Sequence, residues 1–210
     1  EAAVVAFALR RGAGGSAFGS WPLPLQLTAA LVPASLLWEA AFDLGHYWTH
    51  RLMHENAWLY RNVHKAHHKF LHPSPLTTAY FTLPDVVASN LLPGLAASAL
   101  APALTPPMVF CLMAYKRCIE VAGHSGMDNS AETGEFGVLG GRFAYFTCSF
   151  PQATWLAKAL SVQTTIAAHD LHHSFPGGKC NYASRFSLWD KAFGTFVDPK
   201  ELSAARSGLG

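Results

Sequence analysis

The chain has 210 residues, of which 13% are charged and 50% are hydrophobic, and its formal net charge is +2. This length suits one domain with a sizeable core, and the charged fraction is about half that of a soluble domain, which favours a membrane protein. The small net charge and the lack of a Lys/Arg run exclude a nucleic-acid partner. Four widely spaced cysteines form no CxxC pair and are typical of idle thiols in a reducing compartment.

The N-terminal part of the chain predicts a membrane helix. Residues 21–42 are apolar apart from Gln26, a few hydroxyl groups and Glu39, and about 20 apolar residues are needed to cross a bilayer. Pro22 suits the start of this helix, and Pro33 predicts a kink in it. Because the sequence begins with glutamate rather than methionine, we expect further sequence upstream.

A second apolar segment predicts a membrane hairpin. No charged residue occurs from Val86 to Tyr115. Prolines divide this segment into two shorter helices, at Pro93, Pro102, Pro106 and Pro107. Such a segment is expected to enter the membrane and return to the side that it left. Basic residues flank the hairpin, which predicts that its ends lie in the cytoplasm.

Eleven histidines are present, and most of them fall into three clusters. The clusters are His46, His50 and His54, then His64, His67 and His68, and finally His169, His172 and His173. Residues three or four apart share one face of a helix, so each cluster directs two or three imidazoles toward one point. Burying so many imidazoles without a partner is costly, whereas metal binding satisfies them. The clusters therefore predict a metal site, and His124 is a further histidine that follows the hairpin.

The number of imidazoles indicates two metal ions, each with an open position. A structural zinc site needs four ligands, commonly thiolates, and the cysteines are not placed to provide them. A haem with two axial histidines would leave most of the set unexplained. Imidazole binds iron, copper, nickel and zinc, so the ligand type alone leaves the metal open.

The clusters also carry a family resemblance. The run Asp43-xx-His46-Tyr47-Trp48-x-His50-Arg51-xx-His54 resembles the first histidine box of the fatty acid hydroxylase and sterol desaturase superfamily. The HxxHH motifs at 64–68 and 169–173 resemble the second and third boxes, and Asn181-Tyr182, Trp189-Asp190 and Phe193-Gly194-Thr195 follow as in the family. Residues 124–128 (HSGMD) are similar to a segment of the sterol C4-methyl oxidases. The resemblance extends from Glu39 to Thr195.

The resemblance implies a di-iron centre that uses O2 and electrons from NAD(P)H, often delivered through cytochrome b5. Carried over residue by residue, the implied metal ligands are His50, His54, His64, His67, His68, His124, His169, His172 and His173, with His46 as a further possibility. A ligating imidazole needs a partner for its second nitrogen, so Asp43, Asp128, Asp170 and Asp190 are candidate acceptors in the second coordination shell.

Together these features predict an all-α fold, an integral membrane helical bundle with a cytosol-facing helical cap that carries the di-metal site. The resemblance implies that this membrane is that of the endoplasmic reticulum. We divide the chain into an N-terminal membrane helix region (1–38), a fatty acid hydroxylase/sterol desaturase-type domain (39–197) and a C-terminal tail (198–210).

The expected activity is hydroxylation of an unactivated C–H bond in a lipid, with sterol C4-methyl oxidation as the first expectation. Sphingoid-base or fatty-acyl hydroxylation, sterol C5-desaturation and aldehyde-deformylating wax synthesis remain alternatives. The segment 129–168 is longer than the resemblance predicts, and Met127 replaces a tyrosine, which leaves the substrate open. A non-enzymatic membrane metal-binding protein is disfavoured because the apolar hairpin contains no metal ligands. A zinc hydrolase is disfavoured because no HExxH motif is present.

Overall fold

The computed structural model describes residues 22–70, 74, 76–123, 156–174 (without 158, 163 and 165), 178–199 and 201. Within these ranges the regular elements are helical and none is a strand, as the all-α prediction requires. The α-helices are α1 (Leu23–Glu55), α2 (Ala57–Leu59), α3 (Leu83–Val86), α4 (Leu92–Leu100), α5 (Pro106–Gly123), α6 (Ile166–Ser174) and α7 (Ser187–Ala192). Two π-helical turns (Tyr60–His64 and Val87–Leu91) and a 3-10 turn (His67–Lys69) complete the described elements.

Helix α1 joins the first apolar segment to the first histidine cluster. Its 33 residues correspond to about 50 Å at about 1.5 Å per residue. The helix continues through position 38, where we place the boundary of the N-terminal region, and Pro33 lies inside it. It ends at Asn56, whose side-chain oxygen accepts hydrogen bonds from the N–H groups of Trp58 and Leu59, each at 3.0 Å. This cap turns the chain into α2 and toward the second histidine cluster.

The second apolar segment forms two helices, as its prolines predict. Helix α3, the π-helical turn and α4 form one continuous stretch, Leu83–Leu100. Among the described residues, this is the one helical stretch that is long and apolar enough to cross a membrane. The chain leaves the helical conformation around Pro102, and α5 begins at Pro106. Contrary to the prediction, Pro93 does not end the helical stretch; it lies at the second position of α4, directly after the π-helical turn.

The main apolar core lies between α1 and the hairpin. Its buried members are Trp38, Phe42, Ala97, Ala101, Leu104 and Leu112. Close approach of α1 and α4 depends on Gly45, because a Cβ atom there would lie 3.2 Å from the Cβ atom of Pro93. The indole N–H of Trp38 donates to the hydroxyl of Ser98 at 3.1 Å, which satisfies its polar atom.

A C-terminal loop, residues 180–186, packs against the middle of α1. The carboxylate of Asp43 accepts hydrogen bonds from the N–H groups of Ser184, Arg185 and Phe186 at 3.0, 2.9 and 2.8 Å. The ring of Tyr47, which is fully buried, contacts the loop edge to face. Three charge-assisted hydrogen bonds from one carboxylate hold the loop firmly against the helix.

A buried ion pair also joins this loop to α1. Arg185 contacts Glu39, and both side chains are almost completely shielded from solvent. The guanidinium lies over the rings of Trp38 and Phe42, at 5.9 and 5.0 Å from their centroids. A charge in such surroundings depends strongly on its partner.

We expect Arg185→Met to lower the free energy of unfolding by about 3–5 kcal/mol, because it leaves the Glu39 carboxylate buried without its cation. The double variant Glu39→Leu/Arg185→Met should recover most of this loss, since no charge is then buried. Chemical unfolding in detergent micelles measures both values. Glu55→Gln, which removes a half-exposed ion pair with Arg51, is the control and should cost less than about 1 kcal/mol. A double variant as unstable as Arg185→Met would contradict this account.

Candidate metal centre

Five histidines from three parts of the chain meet in one group. His50 and His54 come from α1, His64 and His68 from the turns that follow it, and His172 from α6. One ring nitrogen from each residue lies within 4.8 Å of all the others. The group is buried except for His68, which is partly exposed. We call it the five-histidine group.

A second group of three histidines adjoins the first. It consists of His67, His169 and His173, of which His67 and His173 are buried. The Nε2 atoms of His169 and His173 are 3.1 Å apart. The ring of His173 stacks on that of His68 with centroids 4.5 Å apart, so the two groups share a border. The π-helical and 3-10 turns around His64 and His67 replace the regular helix that the HxxHH spacing suggested, and they direct neighbouring residues into different groups.

Backbone carbonyls fix the orientation of two imidazoles in the five-histidine group. The Nδ1–H of His50 donates to the carbonyl oxygen of Tyr182, and the Nδ1–H of His172 donates to that of Cys180, both at 2.7 Å. A carbonyl oxygen only accepts, so each of these rings is protonated at Nδ1. In a neutral ring, Nε2 then carries a lone pair, and this is the nitrogen that enters the group.

A carboxylate holds a third imidazole in the same way. The Nδ1 atom of His64 lies 2.9 Å from Oδ2 of Asp85, and both residues are buried. A carboxylate behind a metal-ligating imidazole fixes its tautomer and raises its basicity. Asp85, which directly precedes the uncharged segment 86–115, was not among the predicted partners of the imidazoles. Its position as the acidic residue in the first turn of α3, close after the second histidine cluster, is the signal that could have revealed it.

The inward nitrogens lie at the spacing of ligands around one metal ion. Nε2 of His64 is 3.1 Å from that of His50 and 3.2 Å from that of His68, which is itself 3.2 Å from Nε2 of His172. Two lone pairs facing each other at this distance repel unless a cation lies between them. Nitrogens bound at about 2.1 Å to one ion lie about 3.0 Å apart at right angles and about 3.4 Å apart in a tetrahedron. The donor set therefore fits a first-row transition metal ion, which these five imidazoles would hold.

Burial keeps these imidazoles neutral. It lowers the pKa of His50, His67, His68 and His172 well below the usual value of histidine, and the neighbouring imidazoles add to the effect. Only a neutral imidazole has the lone pair that binds a metal. Burial also lowers the pKa of His46, to about 3.

Asp43 and Asp190 support the imidazoles through the backbone rather than by direct contact. We expected Asp43 to accept a hydrogen bond from an imidazole, but the described hydrogen bonds of its carboxylate go to loop 180–186. Asp190 accepts the N–H groups of Tyr182 and Ala183 at 2.8 and 3.0 Å. Burial raises the pKa of the Asp43 carboxyl group to about 7, although the hydrogen bonds that it accepts from the loop N–H groups lower it. The two carboxylates thus fix the loop that carries the carbonyl acceptors.

The remaining candidate residues fall in different places. His46 is not in either histidine group; its Nδ1–H donates to the carbonyl oxygen of Ser89 at 2.7 Å. Asp170 lies on α6 beside His169. His124 and Asp128 lie outside the described residues, so their assignments stay predictions.

We expect Gly178→Ala to weaken metal binding by at least tenfold, the effect of disturbing the support of a ligand, because the added methyl group would displace the ring of His54. Gly178 has φ +58°, and a Cβ atom there would lie 2.6 Å from Cε1 of His54. Gly194→Ala is the matched control, because Gly194 has φ +70° and nothing within 4 Å of its Cβ position. Backbone strain should lower the stability of both variants by about 1–2 kcal/mol, whereas metal content after reconstitution should fall only in Gly178→Ala. Equal metal content in the two variants would contradict the predicted effect of Gly178→Ala on His54.

We expect the free energy of unfolding of the metal-free protein to fall as the pH drops below about 6.5, the usual pKa of histidine. Unfolded histidines take up protons there while the buried ones, with lowered pKa values, do not. Each such histidine contributes about 1.4 kcal/mol per pH unit, and none contributes above about pH 7. Chemical unfolding of the metal-free protein at pH values from about 5.5 to about 8 measures how the free energy of unfolding changes with pH. His68→Gln should remove the share of one histidine, and an unchanged stability over this interval would contradict the prediction.

The comparisons with known proteins agree with this geometry. The family model described as fatty acid hydroxylase matches residues 35–195. A fatty acid hydroxylase of a Lecanicillium species is 30% identical over 80% of this chain and 42% of its own length. A very-long-chain aldehyde decarbonylase of Oryza sativa is 30% identical over 87% of this chain and 59% of its own length. A methylsterol monooxygenase of Arabidopsis thaliana is 31% identical over 89% of this chain and 63% of its own length.

The chain thus spans about half of the length of the curated relatives that it matches. No solved structure matches it. The family match covers the first histidine cluster, both HxxHH motifs and loop 180–186, which are the parts that build the two histidine groups. The chain belongs to the fatty acid hydroxylase family.

Proposed function

We propose that this protein is an O2-dependent di-iron lipid oxygenase that hydroxylates an unactivated C–H bond of a sterol or a related lipid. The observation that carries the proposal is the pair of adjoining histidine groups, in which neutral imidazoles direct their Nε2 lone pairs inward. The five-histidine group would hold one iron ion, and His67, His169 and His173 would hold the other.

Iron is the metal that the chemistry of the family favours. Zinc has no redox chemistry, whereas relatives of this chain are named hydroxylase and monooxygenase. When bound, the iron ions supply the activation of O2 and the oxidation of the C–H bond. One oxygen atom enters the lipid as a hydroxyl group, and the other leaves as water with two protons and two electrons. We propose that the electrons come from NAD(P)H through cytochrome b5.

The residues of the chain hold the imidazoles and keep water away. Tyr182 and Cys180 hold His50 and His172 through their carbonyl oxygens, and Asp85 holds His64. All three imidazoles are buried, so the inward nitrogens are shielded from bulk water. Shielding of this kind protects reactive species from side reactions.

We propose that the protein lies in the membrane of the endoplasmic reticulum, with its histidines on the cytosolic side. The stretch Leu83–Leu100 supports this placement by its length and composition. It also exposes large apolar side chains, among them Leu83, Leu91, Leu92, Leu95 and Leu100. Exposed apolar surface of this extent is typical of contact with lipid.

Sphingoid or fatty-acyl hydroxylation and sterol C5-desaturation are the alternatives within the family, and a relative named as a fatty acid hydroxylase has nearly the same identity as the methylsterol monooxygenase. The alternative from another class is a non-enzymatic membrane metal-binding protein. Analysis of the lipid products distinguishes the enzymatic alternatives from one another. If the metal-loaded protein forms no lipid product, the non-enzymatic alternative is favoured.

We expect the full-length protein to bind two iron ions per chain after anaerobic reconstitution and, in cells deficient in sterol C4-methyl oxidation, to restore oxidised sterols that carry an isotope label from O2. His172→Ala should lose at least half of the iron and about 100-fold or more of the activity, since it removes a ligand of the buried group. Asn62→Ala, at an exposed position, is the control. Less than one iron per chain together with no oxidised lipid would overturn the proposal, and so would full activity in His172→Ala.

A further inference from the structure

A cluster of polar side chains, of which Ser89, Asn90 and Lys116 are buried, joins the two helices of the hairpin. The Nζ atom of Lys116 donates to Oδ1 of Asn90 at 2.8 Å and contacts the carboxylate of Glu120. The guanidinium of Arg117 donates to the same carboxylate at 2.8 Å. Asn90 Nδ2 donates to the hydroxyl of Ser89 at 2.8 Å. Lys116, Asn90 and Ser89 are each less than 5% exposed.

Burying charged groups in such a cluster costs free energy. Removing charges from water costs several kcal/mol per ion after relaxation, and apolar side chains of similar volume are often at least as stable. Ser89 and Asn90 also belong to the apolar stretch Leu83–Leu100, where polar groups commonly mark a functional site. The stability of the fold does not explain why a lysine, a glutamate and an asparagine occur together here.

The cluster faces the same cavity as the imidazoles. This cavity is lined by His50 and His64 of the five-histidine group, and also by Ser89, Asn90, Glu120 and His46. His46 packs against His50 with ring centroids 5.2 Å apart, so it stands between the metal-binding residues and the polar cluster. A small group bound against these residues would therefore lie next to the metal centre.

The polar atoms along this wall mainly accept hydrogen bonds. Glu120 presents a carboxylate, and the Nδ1–H of His46 is directed to the carbonyl oxygen of Ser89, which leaves a lone pair on Nε2 in the neutral ring. An anionic group would meet a carboxylate and a lone pair. A cationic group bound to Glu120 would lie close to Lys116 and Arg117, because both contact the same carboxylate. A neutral hydroxyl group avoids both conflicts and can donate its proton to either acceptor.

We propose that His46, Asn90 and Glu120 form a subsite that binds a hydroxyl group of the lipid substrate and so places a neighbouring C–H bond at the metal centre. This inference rests on the proposed function and narrows its substrate class to lipid alcohols, as opposed to free carboxylic acids. Lys116 and Arg117 do not touch the substrate; they hold the Glu120 carboxylate in place.

Paired probes with and without a hydroxyl proton test the subsite. We expect zinc-loaded, full-length protein in nanodiscs to bind cholestanol at least tenfold more tightly than cholestanone, its ketone, because the ketone has no proton to donate. Tenfold corresponds to about 1.4 kcal/mol, within the range of one hydrogen bond to a charged acceptor. Hexadecanol should likewise bind more tightly than hexadecanoate. Equilibrium binding of radiolabelled lipids measures the affinities without any turnover.

Substitutions of His46 and Glu120 should reduce the preference for alcohol over ketone. His46→Leu should reduce the preference for alcohol over ketone to less than about threefold, and His46→Gln, which keeps an acceptor, should restore part of it. Glu120→Gln provides an independent variant, in which the weaker acceptor should reduce the preference. Glu55→Gln, on the exposed surface, is the control and should preserve it. Equal binding of alcohol and ketone by the unaltered protein, or tighter binding of hexadecanoate, would overturn the subsite.

The two proposals fail in different ways. If the zinc-loaded protein discriminates alcohol from ketone but the iron-loaded protein oxidises no lipid, the subsite stands and the oxygenase proposal fails. If the iron-loaded protein oxidises lipids and the zinc-loaded protein does not discriminate, the oxygenase stands and the subsite is wrong.

Discussion

Mutual repulsion among inward-facing imidazole lone pairs is the constraint on which the rest of the structure depends. Nε2 of His50 and Nε2 of His64 are 3.1 Å apart, and the Nδ1 atom of each ring is already committed to an oxygen acceptor. A bare cluster of this kind is unfavourable, so the fold must hold it together until a cation balances the lone pairs. The acceptors around the site therefore fix the tautomer of these rings, through Nδ1, as well as their position.

The holding parts are arranged in layers that extend outward from the imidazoles. The carbonyl oxygens of Cys180 and Tyr182 contact the rings, and the carboxylates of Asp43 and Asp190 hold the loop that carries these carbonyls. The ion pair between Glu39 and Arg185 then joins the same loop to the apolar part of α1. The stability of the helix packing and the geometry of the histidine groups are consequently coupled, because one loop serves both.

Helical periodicity and histidine spacing predicted which parts of the chain form the site, but not which residues contact one another there. On α1 the spacing predicted that His50 and His54 converge, because a regular helix places residues four apart on one face, but His46 of the same cluster lies outside both groups. Helix α6 divides its cluster, with His172 in the five-histidine group and His169 and His173 in the other. The second cluster departs from a regular helix, so its division between two groups could not be read from HxxHH. Asp43 was singled out as a partner of an imidazole and instead holds backbone N–H groups. Backbone acceptors carry no sequence signal, since every residue has a carbonyl oxygen, and Asp85 was hidden because its partner is distant in the chain.

The two sides of Leu83–Leu100 explain how one helix serves both the membrane and the site. In sequence the stretch is uncharged after Asp85, which predicted one arm of an apolar membrane hairpin. Its leucines are exposed, while Asp85 and the two residues that follow it by four and five positions, Ser89 and Asn90, are buried. The π-helical turn at Val87–Leu91 shifts the helical register between Asp85 and Asn90, so that Asp85 contacts His64 while Asn90 contacts Lys116. A π-helical turn inserted in an α-helix is common at functional sites, and here it lets one short segment contact both a metal-binding imidazole and the polar wall of the cavity.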